Sequence, residues 1–529
     1  MYLNTMRKNL LLLLYILAFI KLLLPFFLQD SYYQPHRDEY LYLAEGRHLA
    51  WGYMEVPPLL SIFAALTHVL GDGVFWIKLW PALFGALTFL MVGKMVLSLG
   101  GRSFALVLSW LPFVIDVYMR LFFLFQPNFL EVFFWTAIGY CVIGWIQSGR
   151  TAWLYGLGVS IGLGMMSKYS VAFYTVSVLA GLAISRHRGI YRNKHFYFAL
   201  ALAGLIFLPN AFWQYAHNFP VVKHMTELQD EQLKYIKPGE FIISQLLMNL
   251  PCVYVWIAGL LFMVWNPDGK PYRALGWAYV GVITLLVALH GKDYYALGAY
   301  PVLFAFGGCY LERLTAGTTE AGSRKASRNG KWTRSLLMTI SLAIGLWVLP
   351  LVIPVARPAS LAHYYHAAKL DGGKGFKWED LQYHPLPQDY GDMIGWREMA
   401  LKAGAVYHRL PPAIRDSLII FTPDYCTAGA LNYYRKEAGI PEVYSTNASF
   451  LFWMPDRFPY RHWLRVDKDM PEPDEPVFKQ FAKVTVEDSL VIPYFRESGM
   501  RYTLFENGND SLQPMAERIV AGEKKRFVR

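Results

Sequence analysis

Long apolar runs with few charges recur along the first two thirds of the chain, separated by short polar connectors. Runs near 20 residues match the hydrocarbon core of a bilayer, which is roughly 30 Å thick, at a helical rise of about 1.5 Å per residue. The pattern predicts an α-helical multi-pass membrane domain over residues 1–356. Its roughly eleven spans are expected at residues 9–28, 74–98, 103–118, 128–147, 151–166, 169–185, 196–213, 241–265, 274–290, 294–311 and 333–355.

Residues 357–529 have a different pattern, with mixed charge and short patterned segments. DSLIIFTP (416–423) predicts a buried strand that ends in a turn, and AGALNYYRKEAG (428–439) predicts a helix. The segment is too polar to span a membrane. It therefore predicts a second, soluble domain of the α/β or α+β class.

The first long connector, HRDEYLYLAEGRHLAWGYMEVPPLL (36–60), contains apolar and aromatic residues at helical spacing after Asp38 and Glu39. This spacing predicts an amphipathic helix along the membrane surface, with both carboxylates in its first turn. Acidic residues in a first turn complement the helix dipole. One interpretation of the pair is therefore a simple N-terminal cap.

Composition and charge agree with a membrane protein, since 55% of the residues are hydrophobic and only 17% are charged. The net charge of +11 does not indicate a nucleic-acid partner, because the basic residues are concentrated in connectors. Examples are RHRGIYRNK (186–194) and the segment with Arg324, Lys325, Arg328 and Lys331. The positive-inside rule places these connectors and the N-terminus in the cytoplasm, and an odd number of spans then places the C-terminal domain outside.

Several motifs resemble those of one enzyme group. The Asp-Glu pair of the first external loop is followed by WGYMEVPPL, and further motifs follow in order: QPNFLEVFFW (126–135), GLGMMSKYS (162–170), GKDYYALGAYPVL (291–303), YGDMIGWREMA (390–400) and PDYCTAGALNYY (423–434). The chain resembles the dolichyl-phosphate-mannose protein mannosyltransferases and the lipid A aminoarabinose transferases, which are membrane glycosyltransferases of the GT-C superfamily. The resemblance runs along nearly the whole chain.

This resemblance implies an inverting glycosyltransferase in the bacterial plasma (inner) membrane. It would move a sugar from a polyprenyl-phosphate donor to a glycolipid, polysaccharide or protein of the envelope, on the extracytoplasmic face. Such a reaction needs a base for the acceptor's proton and positive charge near the departing phosphate. Asp38 matches the family's first acidic position and is the candidate base. Glu39 is expected to support it or to bind acceptor or sugar.

Two lysines are candidates for binding the donor phosphate. Lys168 and Lys292 are expected at outer ends of spans, and Lys292 is flanked by His290, Tyr294 and Tyr295, which join the candidate site. The alternative for each lysine is snorkelling, in which the side chain simply reaches water from a span end.

The chain departs from the family pattern at two candidate donor-binding positions. Glu55 stands where the aminoarabinose transferases have an acid that interacts with metal or phosphate, but the next residue is Val56 instead of a lysine. Asn128 stands where many relatives have an aspartate. Glu131 can replace that carboxylate if the segment is helical, because residues i and i+3 share a face. Its alternative is a buried, partnered acid.

No cofactor is predicted. His36 and His48 lie near the loop's carboxylates, and a divalent metal ion is a possible ligand there, but the spacing fixes no ligand set. Two other functions stay open. One is a transporter or flippase for a lipid-linked sugar, although no inverted repeat or mid-span charge pair supports it. The other is a non-catalytic membrane scaffold whose C-terminal domain recruits partners.

Overall fold

The structure is a computed structural model that describes residues 2–231, 233–317, 325–326, 328–471 and 475–527. The predicted basic connector around Arg324 lies in part outside these residues. The chain forms two compact units. The first comprises Met1–Leu28, Lys78–Ala211 and Met225–Val355, and the second comprises Gln29–Ile77, Phe212–His224 and Ala356–Arg529.

Helices dominate the described residues. In chain order they are α1 (Tyr2–Leu28), α2 (Arg37–Arg47), α3 (Leu59–Leu70), α4 (Val74–Ser98), α5 (Ser103–Trp110), α6 (Pro112–Ile115), α7 (Tyr118–Leu121), α8 (Pro127–Ser148), α9 (Thr151–Met165), α10 (Val171–Ala183), α11 (Lys194–Ala216), α12 (Pro220–Glu231), α13 (Pro238–Met248), α14 (Val253–Trp265), α15 (Arg273–Ala288), α16 (Tyr300–Leu314), α17 (Arg328–Val352), α18 (Pro358–Ala367), α19 (Gln388–Gly391), α20 (Trp396–Arg409), α21 (Pro412–Arg415), α22 (Tyr425–Ala438), α23 (Phe450–Trp453) and α24 (Leu512–Lys525).

The described residues also contain two β-sheets. The strands are β1 (Ala316–Gly317), β2 (Lys325–Ala326), β3 (Leu418–Phe421), β4 (Val443–Tyr444), β5 (His462–Asp467), β6 (Phe481–Leu490) and β7 (Met500–Gly508). β1 and β2 form an antiparallel pair. The other five form one sheet in the order β4-β3-β5-β7-β6. In it β3 runs parallel to β4 and β5, whereas β7 runs antiparallel to β5 and β6.

Among the described residues, six helical segments are long and apolar enough to cross a membrane. They lie within α1, α4, α8, α11, α15 with the turn before it, and α17. The bent pair α13 and α14, which meet at 69°, adds a seventh if it is one span. The expected multi-pass membrane protein is confirmed. The number of eleven spans stays a prediction, because the helices at several expected places, such as α9 and α10, are shorter.

One predicted span begins later than expected. Residues 294–311 were expected to be helical throughout, but Asp293–Ala299 form a 3-10 segment and α16 begins at Tyr300. Pro301 stands at the start of α16, where a proline fits because its missing N–H would have no helical partner.

Glycines let helices of the first unit approach closely. A Cβ atom on Gly259 of α14 would clash with the carbonyl oxygen of Leu303, and one on Gly307 of α16 would clash with that of Val255. Small residues at such crossings bring two backbones into contact, which is how helices associate without a hydrophobic driving force in lipid. The α14–α16 contact is therefore specified by the sequence.

The C-terminal part of the second unit has a hydrophobic core between the sheet and one helix. Ile419 of β3 and Phe505 of β7 pack with Leu512 and Val520 of α24. The predicted strand and helix of this segment are confirmed as β3 and α22. Leu418, Ile419 and Ile420 are all buried, as expected for a strand that has neighbours on both sides.

The second unit also contains the first long connector. Leu41 and Ala44 of α2 pack against Ala428 of α22 in one hydrophobic cluster. A Cβ atom on Gly429 would lie 2.8 Å from Cβ of Tyr40, so this glycine is needed for the close approach of α2 and α22. The predicted domain boundary after residue 356 stays a prediction, since the unit that begins at Ala356 also includes Gln29–Ile77.

Candidate active site

Helix α2 begins with a capping box. Nδ1 of His36 accepts a hydrogen bond from the backbone N–H of Asp38 (3.3 Å), and the carboxylate of Glu39 accepts one from the backbone N–H of His36 (2.7 Å). This reciprocal pattern satisfies two N–H groups at the helix start. The cap interpretation of the acidic pair is therefore confirmed for Glu39, whose side chain is fully buried. Its role toward acceptor or sugar stays a prediction.

Asp38 is positioned by the C-terminal segment. The hydroxyl of Tyr425 donates a hydrogen bond to Oδ1 of Asp38 (2.9 Å), and Arg37 donates one to that same hydroxyl (3.2 Å). Nε of Arg37 also lies 3.7 Å from Oδ1 of Asp38. The Asp38 side chain stays 30% exposed. Oδ2 of Asp38 lies 3.8 Å from Nδ1 of His36. A carboxylate that is held in place and still partly open to solvent suits a general base.

Tyr425 is suited to hold Asp38 as a neutral donor. Burial, together with the nearby charge of Asp38, raises the pKa of Tyr425 well above its ordinary value. The phenol therefore keeps its proton at physiological pH. Because Arg37 binds the phenol oxygen, it polarises the O–H bond that points at the carboxylate.

Behind Asp38 lies a second group of charges. Nε2 of His36 is 3.6 Å from Asp392 and 3.7 Å from Asp389, and these three side chains are of the types that bind metal ions. Nη1 of Arg496, however, lies 3.3 and 3.4 Å from the two oxygens of Asp392. Burial raises the pKa of Asp392, and the cations around it oppose that shift. Because an arginine already neutralises this carboxylate, we assign no metal here.

Glu55 accepts hydrogen bonds from Ser449 of the C-terminal segment. Its two oxygens accept hydrogen bonds from the backbone N–H (2.8 Å) and the hydroxyl (2.7 Å) of Ser449. Burial raises the pKa of Glu55. Burial and the charge of Glu55 raise the pKa of Glu45, which is fully buried, well above its ordinary value. The observed contacts of Glu55 join the loop to the C-terminal segment, and its role at the donor phosphate stays a prediction.

Five of the predicted donor-binding residues converge in the first unit. Nζ of Lys168 lies 2.7 Å from Oδ1 of Asn128 and 2.7 Å from the carboxylate of Glu131. The ammonium group also lies 4.4 Å from the ring centroid of Tyr295 and 5.6 Å from that of Tyr294. The snorkelling alternative is therefore wrong for Lys168, whose side chain is only 16% exposed.

Asn128 and Glu131 lie on one face of a helix, as their spacing predicted. Both residues lie on α8, and their three-residue spacing brings both side chains to Lys168. Glu131 is also the buried, partnered acid of the alternative interpretation, with a hydrogen bond from the hydroxyl of Ser170 as well. Since Glu131 balances the charge of Lys168, the cluster is close to neutral.

Lys292 and His290 lie on the segment that carries the two tyrosines. Lys292 is the residue before the 3-10 segment, and it is partly buried. His290 has a φ of 52°, an unusual conformation for a non-glycine residue, in the turn after α15. The sequence placed both residues beside Tyr294 and Tyr295, and their roles stay predictions.

Sequence reasoning did not find Tyr425 or Arg37 as partners of Asp38. Tyr425 is 387 positions from Asp38 along the chain, so no local pattern relates them. The one available signal was the PDYCTAGALNYY motif, which contains Tyr425. The motif contributed to the family resemblance, but it assigned no role to this residue.

Part of the chain is similar in sequence to a known protein family. Residues 55–213 match the family model of the dolichyl-phosphate-mannose-protein mannosyltransferases. The lipid A galacturonosyltransferase RgtD of Rhizobium johnstonii is 23% identical over 261 residues. That match spans 47% of this chain and 54% of the relative. The predicted family resemblance is confirmed.

The resemblance to GT-C glycosyltransferases extends to the fold. ArnT from Cupriavidus metallidurans bound to undecaprenyl phosphate superposes with a TM-score of 0.65 at 13% identity, covering 96% of this chain and 99% of ArnT. The archaeal oligosaccharyltransferase AglB from Archaeoglobus fulgidus, in complex with an inhibitory peptide and a dolichol-phosphate, gives a TM-score of 0.51 at 12% identity, covering 87% of this chain and 69% of AglB. At these identities the similarity shows a common fold.

Proposed function

We propose that this protein is an inverting glycosyltransferase that moves a sugar from a polyprenyl-phosphate donor to an acceptor of the cell envelope. The observation that carries the proposal is the arrangement at the start of α2, where Tyr425 holds the partly exposed carboxylate of Asp38. The family match at residues 55–213 and the ArnT-like fold support the reaction class. The named ligands of ArnT and AglB, both polyprenyl phosphates, support the donor class.

The proposed chemistry is a single displacement at the anomeric carbon. An oxygen or nitrogen of the acceptor attacks this carbon, and its proton passes to the carboxylate of Asp38. The bond between the anomeric carbon and the phosphate oxygen breaks, and polyprenyl phosphate leaves with the electron pair. Attack opposite to the leaving group inverts the anomeric configuration.

Polyprenyl phosphate carries negative charge as it leaves, so we assign the donor phosphate to the lysines of the first unit. Lys168 is shared with Glu131, so it contributes a directed hydrogen bond more than net charge. Lys292 is the second lysine that we assign to the phosphate, because it directly precedes the segment that carries Tyr294 and Tyr295. Tyr294 and Tyr295 add aromatic faces and hydroxyl donors beside Lys168.

The test is an Asp38→Asn variant of the full chain in proteoliposomes, supplied with labelled polyprenyl-phosphate sugar and an envelope extract as acceptor. The amide oxygen still accepts the hydrogen bond from Tyr425, so the fold should be kept. An amide cannot take a proton, so we expect transfer to fall by at least a hundredfold, in line with the typical contribution of a general base.

The matched control is Asp416→Asn, the same change at an exposed turn before β3. We expect this variant to retain wild-type transfer. Near-normal turnover by Asp38→Asn, with folding shown by an unchanged melting temperature, would exclude Asp38 as the base and would remove the observation that carries the proposal.

A further inference from the structure

The second unit contains a cavity of about 190 Å³ that none of the assignments above uses. Helix α2 forms one side and helix α22 the other, and the segment from β4 to α23 closes it. Its aromatic and charged lining comes from His48, Tyr433, Arg435, Glu442, Tyr444 and Trp453. This mixture of aromatic and charged groups in a concave site suits a small polar ligand.

The aromatic lining is held rigidly. The rings of His48 and Trp453 stack with their centroids 4.3 Å apart and an angle of 14° between the planes. The hydroxyl of Tyr433 donates a hydrogen bond to the backbone oxygen of Asp72 (2.5 Å). Rigid aromatic faces carry negative potential and attract polarised C–H groups, such as those on the face of a sugar ring.

The charged lining includes one available cation. Arg47 is paired with Asp72 at 3.4 Å. The guanidinium of Arg435, by contrast, makes no hydrogen bond, ion pair or ring contact within the part of the chain that the structure describes. Burial lowers the pKa of His48; Glu442 opposes this shift, and the two arginines add to it. Arg435 is therefore the group that an anionic ligand would meet, since guanidinium binds carboxylate or phosphate in a bidentate way.

The position of the cavity indicates which substrate it serves. Asp38 is at the start of α2, and Tyr425, which binds it, is at the start of α22. The cavity lies further along the same two helices, where Arg47 and Asn432 line it. Arg47 stands nine positions after Asp38 on α2, which is about 14 Å of helix. A ligand in this cavity contacts α2 and α22, the two helices that position the proposed base. Because the base acts on the acceptor, we assign the cavity to the acceptor.

We propose that this cavity binds an acidic saccharide unit of the acceptor, with its carboxylate or phosphate on Arg435, its hydroxyls toward Glu442 and its ring on the aromatic lining. This inference rests on the proposed glycosyl transfer, because it assigns the ligand to the acceptor. The acidic unit is remote from the reacting hydroxyl, so its binding energy serves to position that hydroxyl. The same chemistry occurs in a glycolipid headgroup and in a free oligosaccharide.

The test is direct binding to the purified full chain at fixed ionic strength, by isothermal titration calorimetry. The probes are trigalacturonate, uncharged maltotriose, inorganic phosphate, and glucuronosyl diacylglycerol in detergent micelles. We expect trigalacturonate to bind at least tenfold more tightly than maltotriose. Arg435→Gln should abolish this preference, whereas Lys436→Gln, the same loss of charge at the next and exposed position, should keep it.

A second variant changes affinity in the opposite direction. Glu442→Gln removes a negative charge from an exposed position in the lining, so it should tighten trigalacturonate binding several-fold while the fold stays intact. Tighter binding of glucuronosyl diacylglycerol than of trigalacturonate assigns a lipid-borne acceptor, and the reverse assigns a free glycan. Both results support the proposal.

Three results would overturn the inference. They are equal affinity of the wild type for trigalacturonate and maltotriose, an unchanged preference in Arg435→Gln, and phosphate binding as tight as that of trigalacturonate, which would mean that the saccharide is not recognised. None of these measurements requires turnover. The failure of this inference is therefore separate from that of the proposed function, which depends on the activity of Asp38→Asn.

Discussion

Replacing Tyr425 by phenylalanine isolates the contact between the C-terminal segment and the candidate base. The change removes one hydroxyl, the donor of the 2.9 Å hydrogen bond to Asp38, and leaves the ring in place. A hydrogen bond to a charged group contributes about 1.5–3 kcal/mol. Because the Asp38 side chain is 30% exposed, water replaces part of that interaction. We therefore expect a loss of about 1–2 kcal/mol, which corresponds to a five- to thirtyfold lower kcat.

The kinetic pattern distinguishes a positioning role from a structural one. The hydroxyl stabilises the ionised form of the carboxylate, so the acidic limb of the pH–rate profile should move to higher pH in Tyr425→Phe. The KM for the lipid-linked donor should stay within a factor of about two, because we assign donor binding to other residues. The assay is transfer from labelled polyprenyl-phosphate sugar in proteoliposomes, measured from pH 5 to pH 9.

Tyr502→Phe is the matched control for this variant. Tyr502 is a buried tyrosine of β7 whose hydroxyl donates to the backbone oxygen of Met399 (2.8 Å), so its replacement also removes one hydrogen bond. We expect it to lower the melting temperature and to leave kcat and the pH–rate profile unchanged. A wild-type kcat and profile in Tyr425→Phe, or a change confined to donor KM, would refute the positioning role.

Three further changes test the remaining interactions. Glu45→Gln removes an acid whose pKa is raised by burial. Because the folded state holds this proton more tightly than the unfolded state, the stability of the wild type falls as the pH rises above about 4.5. Chemical denaturation should therefore show a higher free energy of unfolding for the variant, by an amount that grows by up to about 1.4 kcal/mol per pH unit and disappears at lower pH. Lys168→Met leaves Glu131 buried and unpaired and should cost about 3–5 kcal/mol; adding Glu131→Gln should restore the melting temperature without restoring donor binding. Gly429→Ala should cost about 1–3 kcal/mol by overpacking against α2, whereas Gly522→Ala, with nothing within 4 Å, should not destabilise.

Several parts of the fold follow from local sequence. The helix after Asp38, strand β3 and helix α22 occur where periodicity and turn residues predicted them. The three-residue spacing of Asn128 and Glu131 correctly predicted that both side chains share a helix face. Each of these features depends on neighbours within a few positions, which is the range over which periodicity carries information.

Other features depend on contacts that sequence spacing does not encode. The bond from Tyr425 to Asp38 and the ion pair of Arg496 with Asp392 join segments that are far apart in the chain. Snorkelling was a reasonable alternative for Lys168 because a lysine at a span end usually reaches water. Lys168 lies in the turn between α9 and α10, and its partner Glu131 lies on α8, so its burial and pairing emerge only when the helices pack.

The proposed reaction makes a glycosidic bond at the expense of a polyprenyl-phosphate sugar. The direct measurement uses the purified wild-type chain in proteoliposomes with a donor that is labelled in both sugar and lipid, and it counts free polyprenyl phosphate and sugar-bearing acceptor. We predict that one polyprenyl phosphate is released for each glycosidic bond and that NMR shows an inverted anomeric configuration. Asp38→Asn should form at least a hundredfold less of both products. Movement of intact donor across the membrane with no glycosidic product would contradict the proposed glycosyl transfer and favour a transporter.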